Sequence, residues 1–218
     1  MNHIRMKIVY LTRYLQAYAQ FIISYLRFGP GGTEFSYFPF DIHRPLPAGA
    51  NDLMDELCRL VESTGSCYRL TDGTFLGLYR EGKFIDHDND IDIDILGDDE
   101  YEAIHQTMID NGMVLGRRVF KDGLIQQAAY YSPDLIIFDI LFWYEDAAEI
   151  VNYSEPGYVR RQSIKYFLNL DSFNFNGRSY PIPSGPEEWL QMRYGQEWHI
   201  PKTYKGDWKD DCFDIEKV

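Results

Sequence analysis

The stretch Asp86-His87-Asp88-Asn89-Asp90-Ile91-Asp92-Ile93-Asp94-Ile95 decides how the rest of the chain is read. Alternate residues of a β-strand share a face. Residues 91–96 alternate strictly and predict such a strand. Ile91, Ile93 and Ile95 then anchor it on a core, and Asp90, Asp92 and Asp94 point the other way. Two residues of strand span about 7 Å, so these carboxylates repel one another. A divalent cation removes that repulsion, and hard carboxylate oxygens suit Mg2+ or Mn2+. A charged edge strand that resists aggregation is the plain alternative. Edge protection takes one or two charges, usually lysine, whereas five aspartates fall in the nine residues from Asp86 to Asp94. A calcium loop fails in both frames. Its glycine position holds Ile91 or Ile93, and its closing glutamate position holds Gly97 or Asp99.

A further carboxylate stands in a second apolar run, Leu135-Ile136-Ile137-Phe138-Asp139-Ile140-Leu141-Phe142. A buried carboxylate without a partner costs several kcal/mol, so Asp139 needs one. A shared metal is one candidate; an arginine or backbone amides are the other. Upstream, Thr71-Asp72-Gly73-Thr74 predicts a turn that opens a short apolar helix, Phe75–Tyr79. Glycine lets backbone amides approach a phosphate, and a helix N-terminus favours anions. Thr74 stands sixteen residues before Asp90, which joins the two signals. Arg80 and Lys83 lie between them and are candidates for the remaining phosphate charge, or are a solvated loop pair.

Outward from this centre the pattern is mixed. Residues 51–63 predict an amphipathic helix through Leu53, Met54, Leu57, Leu60 and Val61, with Asn51 as N-cap and Gly65 as stop. A short strand follows at Cys67–Leu70. Beyond the acidic strand come a helix at 100–110 and three strands, Val114–Phe120, Leu124–Tyr131 and Leu135–Tyr144. The turns Lys121-Asp122-Gly123 and Ser132-Pro133-Asp134 make these a meander. The region 150–180 gives no clear pattern. Ser184-Gly185-Pro186-Glu187 has the form of a capping box, opening a helix that runs to Tyr194 and stops at Gly195. The element order predicts an α+β fold, a mixed sheet with helices packed against it.

At 218 residues the chain suits one domain with an appendage. We place the appendage at residues 1–33 and the domain at 34–218. Within 1–33, residues 4–28 predict an amphipathic helix with a stripe of Ile8, Leu11, Leu15, Tyr18, Ile22 and Tyr25. That segment carries Arg5, Lys7, Arg13 and Arg27 and no acid, and Gly29-Pro30-Gly31-Gly32 stops it. Two readings stay open: docking on the domain or a second copy, and peripheral contact with an anionic membrane. Residues 35–50, with Pro39, Pro45 and Pro47, read as irregular. The formal net charge of −13 disfavours broad nucleic-acid binding. Cys58, Cys67 and Cys212 form no CxxC and read as reduced thiols, which fits a cytoplasmic protein. No cleavable leader or spanning helix is expected, since the longest uncharged run there, Tyr14–Leu26, is short and broken by Gln16, Gln20 and Ser24.

The run from Leu70 to Asp92, LTDGTFLGLYREGKFIDHDNDID, resembles the LicD/fukutin family, whose corresponding motif is similar to GTLLGxxRxxGFIPWDDDID. Phe138-Asp139-Ile140-Leu141 resembles the family's second acidic strand. Pro181-Ile182-Pro183, Glu187-Glu188-Trp189-Leu190 and Arg193-Tyr194-Gly195 resemble its closing helix and stop. The likeness covers roughly residues 51–205. His87, Asp86 and Asn89 depart from the motif's tryptophan, proline and aspartate.

The resemblance implies a nucleotidyltransferase-like mixed sheet. It also implies transfer of a phosphorylated alcohol, such as phosphocholine or ribitol phosphate, from a CDP-linked donor to a glycan hydroxyl. Carried over, Asp90, Asp92 and Asp139 hold the metal ions and Asp88 assists. Gly73 and Thr74 bind the donor phosphate, and Arg80 contacts the donor or braces the loop. Two cations so held would clamp a pyrophosphate, and a carboxylate such as Asp139 would take the acceptor's proton. Two other functions fit the acidic run: a DxD glycosyltransferase using a nucleotide sugar, and a non-catalytic protein that binds a phosphorylated ligand through metal. No nucleotide-binding βαβ unit precedes the motif, which counts against the glycosyltransferase.

Overall fold

A computed structural model describes residues 45–47, 49–202 and 208–218. The expected helix at 4–28, and with it the 1–33 appendage, lies outside the described residues. So does most of the irregular 35–50 stretch.

Helix α1 (Ala50–Ser63) buries Ala50, Met54, Leu57, Cys58 and Val61, the three-and-four spacing that the sequence predicts. Its N-cap is Gly49 with no side-chain bond, so Asn51 lies inside the helix and does not cap it. Strand β1 (Tyr68–Leu70) leads through Thr71 into α2 (Asp72–Glu81), which is longer than the expected Phe75–Tyr79. Its early start has a cause. Asp72 is held by Arg160 and Arg193, which draws the turn residues Asp72-Gly73-Thr74 into the helix.

Strand β2 (Asp90–Leu96) lies between the edge strand β1, to which it is antiparallel, and the central strand β5 (Ile137–Asp146), to which it is parallel. Helix α3 (Tyr101–Asp110) links β2 to β3 (Val114–Lys121) and β4 (Leu124–Tyr131), and β3, β4 and β5 pair antiparallel as the expected meander. The β5 start moves from Leu135 to Ile137. Ser132 closes a turn onto Ile136 and Leu135, with Leu135 at φ 67°. The far half of β5 pairs with β6 (Glu149–Asn152), which pairs with β7 (Tyr158–Ser163). A separate hairpin, β8 (Asp171–Phe175) and β9 (Arg178–Ile182), turns on Asn176 and Gly177, both at positive φ.

Helix α4 (Pro186–Tyr194) starts with Pro186 in its first turn, but the expected capping box does not form. Gly185 is the N-cap, in a left-handed conformation, and its N–H donates to Asp171 Oδ2 at 2.9 Å. Strand β10 (Ile215–Lys217) adds antiparallel to β7 and completes an eight-stranded mixed sheet.

Ile91, Ile93 and Ile95 share one continuous core with α1, α3, Phe138, Ile140 and Phe142. Each isoleucine so buried contributes about 1.5–3 kcal/mol. The opposite face of β2 is also covered: Asp92 and Asp94 are buried. The strand therefore alternates as expected while being enclosed on both faces. All three cysteines are free. No helix among the described residues is long and apolar enough to cross a membrane.

Candidate active site

The covered acidic face of β2 forms the floor of a cleft of about 500 Å3. Strand register builds it. Arg117 on β3 pairs with Ala129 on β4, Ala129 with Asp139 on β5, and Asp139 with Asp92 on β2. Paired residues point to the same face, so these four side chains form one row across the sheet. Ala129 is small, and over it Arg117 Nη2 reaches Asp139 Oδ2 at 3.2 Å. Gln127, two residues from Ala129 on β4, donates to the same oxygen at 2.6 Å. Asp139 thus has the arginine partner that the sequence left open beside a metal. Its other oxygen, Oδ1, is buried with no hydrogen-bond partner.

Asp92 is 8% exposed and is oriented from behind by Thr74. The Asp92 N–H donates to Thr74 Oγ1 at 2.9 Å, and the hydroxyl lies 3.4 Å from Asp92 Oδ2. Asp88, in the loop before β2, packs its carboxylate on Gly73. A Cβ at position 73 would stand 2.5 Å from Asp88 Oδ2. Glycine is required there for Asp88 to join the cluster, a closer approach than any side chain permits. Asp88 Oδ2 is also buried with no partner. One carboxylate oxygen each from Asp88, Asp90 and Asp92 lie within 4.8 Å of one another.

The electrostatics follow from burial and crowding. Burial, then the neighbouring Asp90 carboxylate, holds Asp88 and Asp92 well above the usual carboxylate range. Burial raises Asp90 as well. Asp139 is pushed up to about 6 by burial, against the pull of Arg117. These groups are costly to ionise together in the absence of a counter-charge. A hard divalent cation fits the set: the donors are all carboxylate oxygens, three converge, and two buried oxygens are unpartnered.

Asp94 is not part of this set. Although it shares the face with Asp90 and Asp92, Arg69 of β1 takes its carboxylate from Nε at 3.0 Å and Nη2 at 2.7 Å, with both side chains fully buried. Gly73 lines the cleft, and Thr74 stands behind Asp92, where it positions a carboxylate. Arg80 lines the cleft while bonded to Glu81 and to the Trp198 carbonyl at 3.1 Å, a bracing geometry. Lys83 is not in the lining; it points to solvent and pairs with Asp86.

The structure adds groups that the sequence reading did not single out. Asp72, at the start of α2, accepts from Arg160 Nη1 and Nη2, both at 2.9 Å, and from Arg193 Nε at 3.0 Å. Burial opposes its ionisation, but the two guanidiniums outweigh that and hold its carboxyl well below the usual range. Asp214 closes the group against Arg160 and Arg193. Gln162 then bridges Asp214 to Arg69, joining this group to the Arg69–Asp94 pair. For Gln127 a signal existed, since two glutamines stand in the apolar strand Leu124–Tyr131. For Arg160 and Asp214 none did.

A family model described as LicD/FKTN/FKRP, nucleotidyltransferase domain, matches residues 65–185. The chain is 26% identical over 164 residues to ribitol-5-phosphate transferase FKTN of Macaca fascicularis and of Homo sapiens, covering 73% of this chain and 35% of each relative. The mouse protein of the same description is 25% identical over 166 residues. The chain thus spans about a third of the length of these relatives. Among solved structures, the lincomycin-bound lincosamide antibiotic adenylyltransferase LnuA superposes with a TM-score of 0.48 at 17% identity, covering 67% of this chain and 86% of that one.

Proposed function

Because the chain belongs to the LicD/FKTN/FKRP nucleotidyltransferase-domain family, we propose that it is a transferase that moves a phosphorylated alcohol from a CDP-linked donor to a glycan hydroxyl. The observation that carries this reading is the convergence of Asp88, Asp90 and Asp92 beside Asp139 in one cleft, with buried oxygens of Asp88 and Asp139 unpartnered. The activity for which the FKTN relatives are named, ribitol-5-phosphate transfer, supports the class of group moved.

Asp88, Asp90, Asp92 and Asp139 would hold Mg2+ or Mn2+. When bound, the cation supplies charge neutralisation for the donor pyrophosphate and for the oxygen that leaves. The chain's residues do the positioning. Thr74 fixes the Asp92 carboxylate, and Gly73 clears the space that Asp88 fills. Arg117 stands on the lining beside Asp139, placed to meet a phosphate oxygen. In the transfer, the acceptor hydroxyl oxygen bonds to the phosphorus of the alcohol phosphate, and the bond to the nucleoside monophosphate breaks. The hydroxyl proton passes to a cleft carboxylate, for which Asp139 is our assignment.

The test is calorimetry of CDP with Mg2+ or Mn2+ on the wild type and on Asp90→Ala/Asp92→Ala. Binding that needs the metal and vanishes in the double variant supports the reading and leads to a product assay. Saturable binding of CDP with no turnover of CDP-alcohols would leave a binding protein instead. Absence of nucleotide binding with either metal sinks the donor assignment.

A further inference from the structure

Beyond the family-matched segment the chain returns to the cleft through Arg193, in the last turn of α4, and backs it with Asp214, just before β10. The Asp214 side chain is fully buried. Its carboxylate meets Arg160 Nε at 3.4 Å and Nη2 at 3.3 Å, Gln162 Nε2 at 2.8 Å, and Arg193 Nη1. Backbone bonds pin the segment. Arg161 N–H donates to the Asp214 carbonyl at 2.8 Å, and Phe213 N–H to the Arg193 carbonyl at 2.9 Å. Asp214 is therefore held in place by strand pairing as well as by charge.

The charge count gives this contact its meaning. Arg160 and Arg193 are matched by Asp72 and Asp214, two against two. Both arginines also line the cleft that holds Asp88, Asp90 and Asp92. Without Asp214, one buried guanidinium charge is unmatched. The carboxylates of the triad are the unmatched negative groups on the same lining. A guanidinium that turned to them would compete with a cation.

We propose that Asp214 is a positioning residue: by matching Arg160 and Arg193 it confines them to Asp72 and leaves the Asp88–Asp90–Asp92 triad to a divalent cation. This rests on reading the triad as a cation site. It makes the C-terminal strand a working part of the site, although that strand lies outside the matched domain.

The experiment is calorimetric titration with Mn2+ alone, at one pH, on four full-length proteins: wild type, Asp214→Asn, Asp214→Asn/Arg193→Met, and Glu216→Gln, an exposed control on β10. Asp214→Asn is expected to weaken Mn2+ binding about tenfold or more. The double variant, which restores the balance with the bidentate Asp72–Arg160 pair intact, should return to within about threefold of wild type. The control should match wild type. A purely structural role predicts the reverse order, with the double variant worse than the single. The proposal is overturned if Asp214→Asn binds as wild type does, if the double variant binds more weakly than the single, or if Glu216→Gln weakens binding equally. If Asp214→Asn does not fold, the double variant decides alone: near-native affinity supports the proposal, and loss of binding or of folding overturns it. Wild-type protein that binds no Mn2+ removes the cation reading and this one together. Wild-type binding with an unmoved Asp214 variant removes only this one.

Discussion

Asp88, Asp90, Asp92 and Asp139, which line the cleft, differ in what surrounds them from the neighbouring pair Asp72, also on the lining, and Asp214 behind it. The first group gathers Asp88, Asp90 and Asp92, pairs Asp139 with Arg117, and leaves oxygens of Asp88 and Asp139 unpartnered. The second sets two carboxylates against Arg160 and Arg193. Burial is similar: Asp92 and Asp139 are 8% and 7% exposed, Arg160 and Arg193 3% and 2%. Buried charge is therefore not in itself a sign of a ligand. Charge that the protein leaves unbalanced is the better candidate, because it must either take up protons or meet a cation.

This contrast fixes opposite responses to mutation. Asp92→Asn should cut product formation from a CDP-alcohol donor by roughly 10^2–10^3, the range seen when one electrostatic element of a site is removed. The same change relieves repulsion, so the metal-free protein should melt no lower than wild type. A clear fall in Tm would erase the distinction between the two groups. Arg160→Met should do the reverse in the balanced group. It strands Asp72 and Asp214 with only Arg193, and unfolding in urea should show a loss of about 3–5 kcal/mol. A loss under about 1 kcal/mol would mean that the network is not structural.

The smallest effect is in pH. Asp139 titrates near 6 in the folded protein and near 3.9 when unfolded. The folded state then holds the proton more tightly, so the stability it adds is fully present below about 3.9 and is lost as pH rises through about 6. Asp88 and Asp92, also raised, act in the same direction. Asp72 is lowered, so its contribution is present above about 3.9 and is lost only as pH falls below that. Between pH 8 and 5 the raised group governs. Melts in chelator should show Tm climbing as pH falls from 8 to 5, with roughly 1.4 kcal/mol of stability from Asp139. Asp139→Asn should flatten that climb. A Tm that stays level in the wild type would show that the carboxylates are not in conflict.

The unbalanced group was legible in the sequence and the balanced one was not, for a physical reason. Asp90 and Asp92 lie on one strand, and a period of two assigns their face without knowledge of the fold. Asp139 announced itself as a charge in an apolar run. Asp72, Arg160 and Arg193 meet across 88 and 121 residues of chain, a distance over which no local pattern carries information. Asp94 shows the same limit in reverse, since its face was right but its partner, Arg69, came from a strand whose register only the fold fixes. The meander was readable from its turns, and Asp122-Gly123 does adopt the positive φ values of a tight hairpin. Asn176-Gly177 turns β8 into β9 in the same way, but the strands beside it gave no clear pattern in the sequence.

Ala129 holds no charge and makes no bond in the site, yet it governs one. As the short step between Arg117 and Asp139, it works like a gap in insulation. The electrical character of the cleft floor is thus written partly in a methyl group. A chain could drift in the charge of this floor through bulk at position 129 while every ionisable residue stays as it is.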